Sequence, residues 1–114
     1  MTIIANLLYK KNPYYLNEDD VPSPRLELQV DSLLERLNLP EDTLLLTEVI
    51  PHGDKLILLN WSSHCQNVTL VCTLDHSPEL YTEIHDGRIS IVHKYSPNPL
   101  LFEIYLAITN IVRV

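Results

Sequence analysis

Residues 80–95 read Leu80-Tyr81-Thr82-Glu83-Ile84-His85-Asp86-Gly87-Arg88-Ile89-Ser90-Ile91-Val92-His93-Lys94-Tyr95, two β-favouring runs on either side of Asp-Gly. Asp-Gly supplies the positive φ angles that a two-residue turn demands, so the stretch reads as a β-hairpin. A tight turn there sets a register. Ile84 faces Ile89, Thr82 faces Ile91 and Leu80 faces His93 on one side, while His85 faces Arg88, Glu83 faces Ser90 and Glu79 faces Lys94 on the other. One side is largely apolar and the other polar, the pattern of a sheet with one face on a core.

Upstream the same pattern continues. Val68, Leu70, Cys72 and Leu74 alternate with Thr69, Val71 and Thr73, which predicts a strand with one apolar and one β-branched face. Residues 43–50 and 55–62 are two apolar runs joined by Pro51-His52-Gly53-Asp54, a second hairpin. A turn centred on His52 and Gly53 sets Val49 against Leu56, Thr47 against Leu58, Leu46 against Leu59 and Leu44 against Trp61. Both faces of this pair are apolar, so it is expected to be covered on both sides or buried against another chain.

Helices flank the strands. Ser23 before Pro24 is a helix-start signal, and Leu26, Val30, Leu33, Leu34 and Leu37 recur at helical spacing. Leu26, Leu28 and Val30 also alternate, so the start lies either at Pro24 or near Asp31; the end falls near Asn38, before Pro40. At the other end Asn98 can cap and Pro99 can open a helix to about Val112, with Leu101, Ile104, Tyr105, Ile108, Ile111 and Val112 as its stripe. The fold class is α+β: a single antiparallel β-meander of about five strands, packed by a helix in the N-terminal half and a C-terminal helix. Residues 2–9 suit a strand or a helical turn equally. Residues 10–24, with Pro13, Pro22 and Pro24, read as an irregular loop or arm. At 114 residues the chain is expected to be a single compact domain.

Composition narrows the function. The formal charge is -7, with 8 Lys+Arg against 15 Asp+Glu, which opposes binding to nucleic acid or to an anionic membrane. No apolar stretch reaches the roughly 20 residues of a membrane helix, and the lysines near the start follow the apolar run instead of preceding it as in a secretory signal. A cytoplasmic protein is expected. The two glycines, Gly53 and Gly87, both fall in turns, which excludes glycine-rich phosphate loops.

The residues that suggest chemistry are poorly spaced for it. His85 and His93 fall on opposite faces of the predicted hairpin and so cannot share a metal. His64, Cys65, Cys72 and His76 cluster near the two ends of one strand, about 20 Å apart against ligand distances of about 2 Å. Cys65 beside His64 lacks the local signature of a cysteine nucleophile, and Asp75-His76-Ser77 reads as a turn and not a triad. No catalytic, cofactor or metal site is expected.

What is left is binding. Tyr9, Tyr14, Tyr15 and Leu16 on the arm, and Leu45, Leu56, Leu58 and Trp61 on the two-sided hairpin, are the candidate protein-binding residues. The expected function is a small acidic interaction module, an adaptor, regulator or accessory subunit that binds another protein, with a homodimer as a further possibility. One alternative is an acidic inhibitor or nucleic-acid mimic presenting Glu18, Asp19, Asp20, Glu41, Asp42 and Glu83 to a basic site. A small enzyme using His64, Cys65 or His76 is the weaker alternative.

Overall fold

The structure, a computed structural model, describes residues 22–85 and 90–112. Its elements in chain order are α1 (Pro24–Leu37), α2 (Glu41–Leu45), β1 (Glu48–Pro51), β2 (Leu56–Ser62), β3 (Gln66–Thr73), β4 (Glu79–His85), β5 (Ser90–Ser96) and α3 (Leu101–Val112). The five strands form one antiparallel sheet in sequence order, and the fold is α+β as its sequence predicts.

Helix α1 begins where its capping residues dictate. The Ser23 hydroxyl accepts from the amide of Leu26 at 3.2 Å, and Pro24 takes the first helical position, where its missing N–H costs nothing. Asn38 ends the helix in the left-handed conformation, φ 49°, its amide donating to the carbonyls of Leu34 and Glu35. Leu26, Val30, Leu33, Leu34 and Leu37 are all buried, whereas Leu28 is exposed, so helical periodicity and not the short alternation governs this segment. The backbone N–H of Ser23 donates to the carbonyl of Asp54 and ties the start of α1 to the β1–β2 loop. The Gln29 amide group donates to the carbonyls of Thr73 and His76 and accepts from the amide of Asp75, which pins α1 over the β3–β4 connection.

The sheet has two unlike faces. Val49, Ile57, Leu59, Trp61, Val68, Leu70, Cys72 and Leu80 point to the helices and are buried in one core with Leu26, Val30, Ile104, Ile108 and Ile111. The opposite, outer face carries Ile50, Leu56, Leu58, Asn60, Thr69 and Val71, all half-buried. Helix α3 packs on β2 and β3 and against α1.

Four sequence expectations need correction. Residues 43–50 are not one strand: residues 41–45 form α2, and pairing starts only at Glu48. Pro40 opens that turn, with the Leu44 amide donating to its carbonyl, and Glu41 and Asp42 suit the positive end of the short helix. A leucine run of this length satisfies either period, and the local start signal decides it. Leu45 accordingly projects from a helix, and neither Leu44 nor Leu46 faces β2.

The first hairpin is also paired three residues away from the tight-turn register. Val49 lies opposite Leu59, Ile50 opposite Leu58 and Pro51 opposite Ile57. The His52 amide donates to the Leu56 carbonyl, and the loop closes with Gly53 at φ 81°, a conformation glycine adopts without steric cost. The second hairpin shifts likewise: Leu80 pairs with Ser96, Tyr81 with Tyr95, Thr82 with Lys94, Glu83 with His93 and Ile84 with Val92, with an irregularity between Ile84 and His85. This register stacks Tyr81 on Tyr95 and sets Glu83 beside His93, cross-strand pairs that a two-residue turn would not allow. Helix α3 starts at Leu101, two residues later than Pro99 implies.

Two substitutions test this layout by urea unfolding. Ser23→Ala is expected to lower stability by about 1 kcal/mol through loss of the cap. Leu59→Ala, in the fully buried row, should cost about 2–5 kcal/mol, and Leu58→Ala, on the outer face, distinctly less. Equal losses at positions 58 and 59 would mean the two faces are misassigned.

Candidate functional site

The β4–β5 hairpin carries most of the polar chemistry of the sheet, on its outer face. The Glu83 carboxylate takes an imidazole nitrogen on each oxygen: Nε2 of His85 at 2.5 Å on one and Nδ1 of His93 at 3.1 Å on the other. The tight-turn register would have put His85 and His93 on opposite faces. The shift by three residues, an odd number, reverses which side chains share a face, so the two histidines lie on the same side. Among the described residues no group of three or more His, Cys, Asp or Glu is placed to hold a metal ion. The cluster is a carboxylate-centred clip across two strands.

Next to it Tyr81 and Tyr95 stack with ring centroids 4.7 Å apart, and both hydroxyls donate to Glu79 Oε2, at 3.2 Å and 2.6 Å respectively. Glu79 holds the Tyr95 phenol in its protonated form, and with a lesser contribution from desolvation its pKa is pushed up to about 12. Further along the face the Asn60 amide group donates to Asn67 Oδ1, the Val68 carbonyl and Thr69 Oγ1. These contacts satisfy one another and leave the outer face a closed polar lattice beside the patch of Ile50, Leu56, Leu58 and Val71.

The helix-side face is different at β4 and β5. Between this part of the sheet and α3 lies a cleft of about 390 Å³. Val68, Leu80 and Ile84 give it an apolar floor, and Leu106 and Ala107 of α3 an apolar wall. Lys94 of β5 spans it to Glu103 of α3 at 3.9 Å, a long pair with both partners partly exposed and therefore weak. At and beside this cleft the protein presents large apolar side chains to solvent: Ile84 is 39% exposed, Leu106 40% and Phe102 71%, with Leu100 and Leu101 alongside. Single exposed apolar residues are ordinary, whereas several neighbouring ones beside a cleft make it the candidate contact surface.

The sequence-derived binding residues fare unevenly. Tyr9, Tyr14, Tyr15 and Leu16 lie outside the described residues. Leu45 is exposed on α2. Leu56 and Leu58 are half-buried on the outer face of β2, where the apolar second face of the hairpin is indeed found. Trp61 is no surface residue: it is 1% exposed, because alternation along β2 sets it in the row with Ile57 and Leu59 and that row is the one the helices cover. Of the thiols, Cys65 is half-buried and Cys72 buried, and desolvation pushes the Cys72 pKa up to about 12, which makes that thiol inert. Arg25 pairs with Asp75 at 2.8 Å, and the His76 amide donates to the Thr73 carbonyl, so Asp75-His76-Ser77 is the turn its sequence suggests.

The cleft was readable in one respect. In Leu101–Val112 only Glu103, Thr109 and Asn110 are neither aliphatic nor aromatic, more apolar surface than one buried stripe requires. A helix apolar on two faces needs cover on both, and only one of them meets the core. No protein-family model, no curated protein and no solved structure matches this chain.

Two titrations check these assignments. Below about pH 10 Tyr95 is protonated in both the folded and unfolded chain; between about 10 and 12 the unfolded chain loses the proton while the folded one keeps it, so stability must fall across that window. Phenolate absorbance should show Tyr95, and with it Tyr81, ionising late, and Glu79→Gln should bring Tyr95 back towards the ordinary range. Alkylation of the native protein should label Cys65 and leave Cys72 unmodified until urea is added; equal labelling rates would contradict the burial of Cys72.

Proposed function

We propose that this protein is a non-catalytic protein-interaction module whose contact surface is the cleft between α3 and the helix-side face of β4 and β5. The observation that carries this reading is the exposure of Leu106 and Ile84 in the lining of that cleft, with Phe102, one turn before Leu106 on α3, exposed outside the lining. A side chain such as Phe102, placed in water, gives up roughly 1.5–3 kcal/mol of burial that a bound partner restores. The formal charge of -7 keeps the rest of the surface solvated and favours association with a partner of opposite charge. The acidic-mimic alternative needs its carboxylates aimed into one basic site, and Glu83 instead takes up the nitrogens of His85 and His93.

Site-specific photocrosslinking in the native cell extract tests the proposal. A photoreactive residue at position 102 is expected to give a discrete adduct with another protein, which Leu106→Asp abolishes, while the same residue at position 58 on the outer face gives none. Adducts from position 58 alone, or from neither position, would overturn it.

A further inference from the structure

We infer that β5 is the seam of a homodimer, in which two copies of this chain pair antiparallel along that edge and join their five-stranded sheets into one continuous sheet. The inference goes beyond the cleft reading and does not use it. In the strand order β1-β2-β3-β4-β5, β5 is an edge, and among the described residues no strand pairs with its far side. Every second residue of such a strand turns its N–H and C=O away from its one neighbour, and the group that matches this row is another extended backbone.

The two edges of the sheet are not alike. β1 has four residues and ends on Pro51, which has no N–H to offer, whereas β5 runs for seven, Ser90–Ser96, without a proline. The irregularity in the β4–β5 pairing lies between Ile84 and His85, at the turn end, and from position 92 to Ser96 the ladder is regular. Glu83 holds His93, while Glu79 and the Tyr81 ring hold Tyr95, so this part of the edge is set before a partner arrives. Helix α3 packs on β2 and β3, inside the seam.

Charge and register favour a second copy as the partner. Residues 88–99 contain Arg88, His93 and Lys94 and no aspartate or glutamate, so the acidic surplus of the chain lies away from this edge. Glu79 and Glu83 are one strand further in, on β4. Across the seam β4 and its counterpart are three strand spacings apart, about 14 Å, beyond the Debye length of about 8 Å. A two-fold axis through position 93 pairs all seven residues of β5, with Lys94 opposite position 92, a valine, and Tyr95 opposite position 91, an isoleucine. Only His93 then meets its own copy, whereas an axis through Lys94 would set two lysines face to face. Because β1 does not offer the same edge, the seam joins two copies and stops there.

Sedimentation of the full chain is expected to show a monomer–dimer equilibrium, and introduced cysteines read its register. In a Cys65→Ser background, His93→Cys should oxidise in air to a disulfide-linked dimer, because residues directly opposite in an antiparallel pair have Cα atoms about 4.5–5.5 Å apart, within disulfide reach. Tyr95→Cys should not, its two copies lying about 14 Å apart along the seam. His93→Lys, which keeps a donor for Glu83 but sets two cations face to face, should weaken the dimer about fivefold, with Trp61 emission confirming that the variant is folded. A monomer at every concentration would overturn the inference. So would a disulfide at position 95 in place of 93, or a dimer that His93→Lys leaves unchanged and Leu106→Asp dissolves. The position 102 adduct tests the cleft separately, so either reading can fail without the other.

Discussion

The burial of Ile57, Leu59, Val68 and Leu70 beneath Leu26, Val30, Ile104 and Ile108 is the contact on which the other features depend. It is a two-layer arrangement, one sheet face against two long helices, in a chain short enough that the helix layer is narrower than the sheet. Because α1 and α3 are committed to the β1–β3 side and to each other, β4 and β5 reach beyond the cover they provide. The cleft is therefore a consequence of how the core is filled, and the second apolar face of α3 lies beside it for the same reason.

The outer face shows the opposite solution. There the strands meet solvent through side chains that satisfy one another: Asn60 with Asn67 and Thr69, Glu79 with Tyr81 and Tyr95, Glu83 with His85 and His93. The cross-strand members fix the strand register, since a one-residue slip would break Asn60 with Asn67 and Thr69, Glu79 with Tyr95 and Glu83 with His93. They also draw the histidines of the second hairpin into a structural clip. The resulting molecule has a polar lattice on one side of β4–β5 and an apolar opening on the other.

How much of this could be read from sequence follows from the range of the interactions involved. Helix α1 was legible because Ser23, Pro24 and the leucine spacing are local signals that agree with one another. The five strands and their order were legible from alternation and turn residues. The registers were not, because the Asp-Gly and His-Gly dipeptides predict a turn geometry, whereas the pairing is set by contacts such as Tyr81 on Tyr95 that lie 14 positions apart. An odd shift in the second hairpin then brought His85 and His93 together, and Trp61 is buried because the helices cover the face of β2 that it shares with Ile57 and Leu59. The leucine run at 44–46 failed for a different reason: three identical apolar residues carry no period, and Pro40 upstream decides in favour of a helical turn. Of the candidate site, the idea of a binding surface came from counting surplus apolar residues, and its location came only from seeing which of them the helices leave uncovered.

The central claim is that α3 has one side in the core and another, also apolar, exposed to solvent. Hydroxyl-radical footprinting of the isolated protein measures this directly, residue by residue along one helix. The account predicts rapid oxidation at Phe102 and Leu106 and strong protection at Ile104 and Ile108. Protection at all four positions, or equal oxidation across them, would contradict it.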